Sequence, residues 1–196
     1  MKRREAVGTM ALAALTAAFK WTPAETSRAA ELTHKALNAP TPFAPAFFTP
    51  HEWDTVRVLA DLVIPRDERS GSATDAGVPE YMDFMLTDRP DGQTPMRGGL
   101  AWLDNEAFER FGQTFVAATA QQQTAILDDI AWPKKAKPEM SQGVAFFNMF
   151  RDMTASGFWS SKIGVTDLDY RGNTFVADWN GCPPEALQKL GVQYED

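Results

Sequence analysis

The chain has one cysteine, two histidines and three tyrosines in 196 residues. A single thiol, Cys182, closes no disulfide within the chain, so the fold rests on packing alone. The histidines, His34 and His51, leave little material for a metal centre or a general base. His51 is followed by Glu52, but Thr55 stands where a zinc-protease helix needs its second histidine. His51 is therefore read as a solvent-facing residue at a helix start. No glycine-rich phosphate loop, no Cys-x-x-Cys-His haem attachment and no Gly-x-Ser-x-Gly elbow occurs. Strand-like alternation is also missing; Phe175 to Ala177 is too short to judge.

Positive charge is scarce in the body. The net charge is −7, although the first 29 residues hold five basic side chains against two acidic ones. An acidic body argues against nucleic acid as a partner, because that affinity comes from Lys and Arg neutralising phosphates. Lys134, Lys135 and Lys137, between Pro133 and Pro138, read as a solvated loop.

The N-terminus reads as an export address. Lys2, Arg3 and Arg4 form a basic start, and Val7–Phe19 is an apolar stretch shorter than the roughly 20 residues that span a bilayer. Adjacent Arg3 and Arg4 point to the twin-arginine route, with the twin-arginine translocase as a transient partner and the periplasm as destination. Ser27-Arg-Ala29 offers small residues for a signal peptidase. Residues 1–29 are accordingly assigned to a signal segment, 30–46 to a linker and 47–196 to a helical domain. Pro40, Pro42 and Pro45 give the linker an extended path.

The body reads as all-α, with about five helices. Thr49-Pro-His-Glu52 is a capping box that opens the first, with Trp53, Val56, Leu59, Ala60 and Val63 at helical spacing and a stop before Pro65. A polar loop covers 66–77. Val78-Pro79-Glu80 opens the second helix, with Tyr81, Phe84 and Met85 inward. Residues 88–95 break it. Leu100, Leu103, Ala107, Phe108 and Phe111 mark the third, which Gly112 ends. Thr119–Gln122 caps the fourth. Residues 141–159 form the fifth, with Val144, Phe147, Phe150 and Thr154 on one face. Residues 160–184 form an irregular, aromatic-rich tail, and 185–190 a short terminal helix. So long a stretch without regular structure is unusual inside a compact domain and is commonly functional. Asp167, Asp169 and Asp178 faintly echo a calcium loop, but Arg171 occupies a ligand position.

Several stretches, in order, resemble the gluconate 2-dehydrogenase subunit 3 family. They are Phe47-Phe48-Thr-Pro-His-Glu52; Leu59-Ala-Asp-Leu-Val-Ile-Pro65 followed by Ala76-Gly-Val-Pro79; Gly99-Leu-Ala-Trp-Leu-Asp104; Phe146-Phe147 through Arg151-Asp-Met-Thr154; Gly157-Phe-Trp159; and Gly172-Asn-Thr-Phe175 through Trp179-Asn-Gly-Cys-Pro183. Arg66-Asp-Glu-Arg69 departs from that pattern by its charge. The resemblance implies a non-catalytic small subunit with no cofactor of its own. Its large partner would be a flavoprotein of the glucose–methanol–choline type that holds FAD and oxidises a sugar or polyol. A cytochrome c subunit carrying haem c, or a soluble cytochrome c, would take the electrons. Hydride chemistry would then belong to the flavin, which accounts for the empty search for catalytic residues. The aromatic tail suits a protein interface, where Trp, Tyr and Phe are enriched. Phe158, Trp159, Tyr170, Phe175 and Trp179 are the expected contact anchors, and Cys182 the candidate inter-subunit disulfide, with a buried free thiol as the alternative. A stand-alone periplasmic binding or chaperone protein is the competing reading.

Overall fold

A computed structural model describes residues 22–169, 177 and 181–194. Among them are eight α-helices and no strand: α1 (Pro23–Leu37), α2 (Pro50–Val63), α3 (Val78–Asp88), α4 (Gln93–Phe111), α5 (Ala120–Ile130), α6 (Ser141–Ser160), α7 (Lys162–Asp167) and α8 (Pro184–Leu190). The all-α expectation holds. Arg3 and Arg4 lie outside the described residues.

The helix starts follow local chemistry. Thr49 and Glu52 form the expected reciprocal capping box ahead of α2, and Thr119 with Gln122 forms another ahead of α5. Each satisfies amide donors that the first helical turn leaves without intrahelical partners. Gly77 precedes α3 at φ 78°, a left-handed conformation that L side chains rarely adopt. Gly112 ends α4 at φ 72°. That helix begins earlier than expected, at Gln93, because Pro95 falls in the first turn, where a missing N–H costs nothing.

α6 is the central element and packs against α1, α2, α3, α4, α5 and α7. It buries Phe146, Phe147, Phe150, Met153, Thr154 and Phe158. The Thr154 hydroxyl, fully enclosed, donates to the Phe150 carbonyl at 2.8 Å. α4 and α6 approach closely through two reciprocal sockets. The Phe146 ring of α6 occupies the space beside Gly99, and the Trp102 ring of α4 occupies the space beside Gly143. A Cβ at either glycine would strike the opposing ring. Leu100, Leu103 and Ala107 form the buried face of α4 as expected, whereas Phe108, expected with them, is exposed.

α3 is buried along most of its length and carries two acidic side chains inward, Glu80 and Asp83. Asp83 is 1% exposed and accepts the backbone N–H groups of Ala46, Phe47 and Phe48 at 2.8, 2.9 and 3.2 Å. One carboxylate thus fastens the segment before α2 onto α3, and three amides that burial would otherwise orphan are satisfied. Arg97 completes the strap: it forks onto Glu52 at 2.8 Å, donates to the Phe47 carbonyl at 2.7 Å and lies 4.4 Å over the Phe47 ring. Glu80, 6% exposed, has one carboxylate oxygen without a partner. Burial pushes its carboxyl above the usual range, with Asp83 adding to the rise.

The assigned linker needs correction. Residues 23–37 are helix, not an extended path. Thr22 and Glu25 make a third capping box, with Pro23 at the first position. α1 lies against α3 and α6, burying Ala29 and Thr33. Glu25 also receives Arg89 at 2.8 Å, and the Thr22 amide together with Arg89 lowers its carboxyl to about 2. The boundary drawn at residue 29 therefore falls inside a helix.

Candidate interaction surface

The end of α6 turns through Ser161 into α7. Ser161 serves both helices: its hydroxyl donates to the Phe158 carbonyl at 2.7 Å and accepts the Gly164 N–H at 3.1 Å. Gly164 is pressed onto the Phe158 carbonyl so closely that no Cβ would fit. The loop before α3 braces the other end of α7. Arg69 donates to the Asp167 backbone carbonyl at 2.8 Å and lies 3.3 Å from its carboxylate. Arg66 pairs with Asp75 at 2.7 Å, and Asp67 accepts the amides of Arg69 and Ser70 at 2.8 Å each. The charged run Arg66–Arg69 thus holds its own loop and the elbow in place.

The elbow presents apolar surface. Trp159 is 40% exposed, Val165 37% and Leu168 55%. Val165 and Leu168, the residue that caps α7 in a helical conformation, are three residues apart, which puts them on one side of the elbow. Trp159 stands edge-on to Phe158, with ring centres 5.0 Å apart. A cleft of about 310 Å³ opens beside the elbow, between α1, α6 and α7, with Leu37, Gly157 and Ile163 among its walls.

The expected anchors divide. Trp159 is at the surface. Phe158 is 1% exposed and belongs to the core, a correction to its assignment as a contact residue. It lies on the face of α6 already marked by Phe150 and Thr154, and the α7 turn covers it. Tyr170, Phe175 and Trp179 lie outside the described residues. Cys182 is an exposed free cysteine, so the buried-thiol alternative falls away. Its amide donates to the Tyr194 hydroxyl at 2.7 Å. Val165 and Leu168 are not among the expected anchors, because the sequence from 160 onward reads as irregular tail. Their i, i+3 spacing is the available signal.

A second cleft, about 240 Å³, lies between the starts of α2 and α4. It holds His51, Glu52, Arg97 and Asp104. His51 Nε2 is 2.6 Å from Asp104 Oδ2, while Asp104 Oδ1 accepts the Phe115 amide at 2.9 Å. His51 is thus paired rather than simply solvated. All four side chains join separate elements of the fold. Among the described residues no group of His, Cys, Asp and Glu is arranged to hold a metal ion. Asp167, first residue of the faint calcium echo, is engaged by Arg69 instead. No described helix is long and apolar enough to cross a membrane.

The arrangement defines a class: a small all-α domain that carries exposed apolar side chains at its α6–α7 elbow, with others at Phe108, Trp132 and the described C-terminal residues. The family model for gluconate 2-dehydrogenase subunit 3 matches residues 50–177, and the chain belongs to that family. The family's description makes the chain a subunit of a dehydrogenase complex. No curated protein and no solved structure matches it.

Proposed function

We propose that the chain is the non-catalytic small subunit of a periplasmic, FAD-dependent dehydrogenase that oxidises a sugar or polyol. The catalytic partner is a large flavoprotein of the glucose–methanol–choline type, and its FAD accepts the hydride. A cytochrome c subunit with haem c, or a soluble cytochrome c, receives the electrons. The small subunit stabilises the flavoprotein and carries the export signal, with Arg3 and Arg4 addressing the twin-arginine translocase.

Family membership over residues 50–177 carries this reading. The elbow supports it: Trp159, Val165 and Leu168 form an apolar surface of the kind that interface cores use. This surface is the proposed contact with the flavoprotein, and Tyr170, Phe175 and Trp179, outside the described residues, are proposed as further anchors. The exposed Cys182 suits a cross-link to another subunit.

Co-purification tests the proposal. The C-terminally tagged chain is expressed with its native neighbours, and the eluate's absorbance is recorded. The expected result is a larger flavoprotein band, flavin absorbance, and bleaching when a sugar substrate is added. A colourless, well-folded monomer overturns it in favour of a stand-alone binding or chaperone protein. A non-reducing gel with thiols blocked should show Cys182 in a heavier band; separate migration removes the cross-link.

A further inference from the structure

The small residues Ser27 and Ala29, which nominate a signal-peptidase site, sit in the middle of α1. Ala29 is 4% exposed, and its carbonyl accepts the buried Thr33 hydroxyl at 2.8 Å. Arg28 lies 3.5 Å from Asp88, and Glu25 is bound by Arg89, so both turns ahead of the bond are tied to the end of α3. The Tyr81 ring is buried, with Thr26 beside its hydroxyl. Gly77 faces Thr33 and Leu37 so closely that a Cβ there would touch both.

A peptidase cleaves extended backbone. Cutting after Ala29 would require unwinding α1 and lifting it from α3. The fragment left behind, residues 30–37, would have no cap. Helices that short are marginal in water. The twin-arginine route, if used, exports proteins already folded, so α1 would meet the peptidase in place.

We infer that α1 belongs to the mature subunit and that the leader ends before Thr22. The inference rests on the export reading for the existence of a leader, but not for the place of α1 in the fold. Small residues recur upstream at Thr16 and Ala18. Hydrolysis of the Ala18–Phe19 bond would leave the Thr22 capping box whole. It would also leave an apolar segment within the usual 7–15 residues, beginning at Val7.

Two truncations test this, each expressed with the native neighbours. One chain starts at Thr22 and the other at Ala30. The first should melt with the full-length protein. The second should melt lower by about 5 °C or more, or fail to accumulate, since about 1 kcal/mol moves a protein of this size by roughly 2–4 °C. Equal melting of the two truncations overturns the inference. Intact mass of the exported full-length chain gives an independent readout. An N-terminus at or before Thr22 supports the inference, and one at Ala30 overturns it. Ser27 is exposed, so Ser27→Lys should leave both folding and the exported mass otherwise unchanged. Accumulation of unprocessed chain would place the cut at Ala29 and overturn the inference. If no chain reaches the periplasm, the export reading fails, and the melting comparison still decides whether α1 is part of the domain.

Discussion

Phe150 and Trp159 lie on the same helix and meet opposite surroundings. Phe150 is fully enclosed in the middle of α6, where other helices cover it. Trp159 is near the end, beside the turn into the short α7, and it stays 40% exposed. The protein therefore uses its aromatic content twice. In the body, glycine sockets and buried carboxylates bring elements close enough to exclude water. At the elbow, Ser161, Gly164 and Arg69 fix the backbone but leave Val165 and Leu168 uncovered. A fixed backbone carrying open apolar side chains is prearranged for a partner, because less freedom is lost when contact is made.

Substitutions in the two regions should separate these roles. Asp83→Ala should have the largest effect, orphaning the amides of Ala46, Phe47 and Phe48 in the interior. A loss of about 3–5 kcal/mol is expected in urea unfolding. A loss near zero would mean that water replaces the carboxylate and that the strap is not buried as described. Gly99→Ala should cost roughly 1–3 kcal/mol, because the new methyl meets the Phe146 ring. Thermal unfolding measures it, and a stabilised variant would contradict the socket.

Glu80 gives a pH-dependent version of the same contrast. Its carboxyl is raised above 4.5, so the folded state holds this proton more tightly than the unfolded chain. Its share of stability is therefore present below pH 4.5 and declines as pH rises through the folded pKa. Glu80→Gln should flatten that limb, as read from urea midpoints across the range; an unchanged slope would assign it to another group. Leu168→Asp should change stability least, by no more than ~0.5 kcal/mol for an exposed site. Binding to the co-purified partner should nevertheless weaken tenfold or more, about 1.4 kcal/mol. If Leu168→Asp unfolds the domain, or binding is untouched, the elbow is not the contact.

Much of the body was legible because local signals and burial agree there. Thr49 with Glu52 and Thr119 with Gln122 marked helix starts, and the face through Phe147, Phe150 and Thr154 marked the core of α6. The same rule was present at Thr22 and Glu25 but was masked by the Ala, Thr and Pro content around it. Phe158 continues the Phe150 and Thr154 face by one more turn. Reading Gly157-Phe-Trp159 as a unit hid that periodicity and put Phe158 with its exposed neighbour. α7 was hidden because it is short and contains Gly164, whose reason is a close approach to Phe158. The burial of Asp83 had no local signal, since its partners lie about 36 residues away.

The paired sockets of α4 and α6 also bear on motion. Gly99 receives Phe146 from the facing helix, and Gly143 receives Trp102 in return. Packed helices commonly shear past one another by small translations. Here any such slide would withdraw two rings at once, one from each helix. The pair behaves as a bolted joint. Close packing of this kind favours movement of α4 and α6 together over sliding between them.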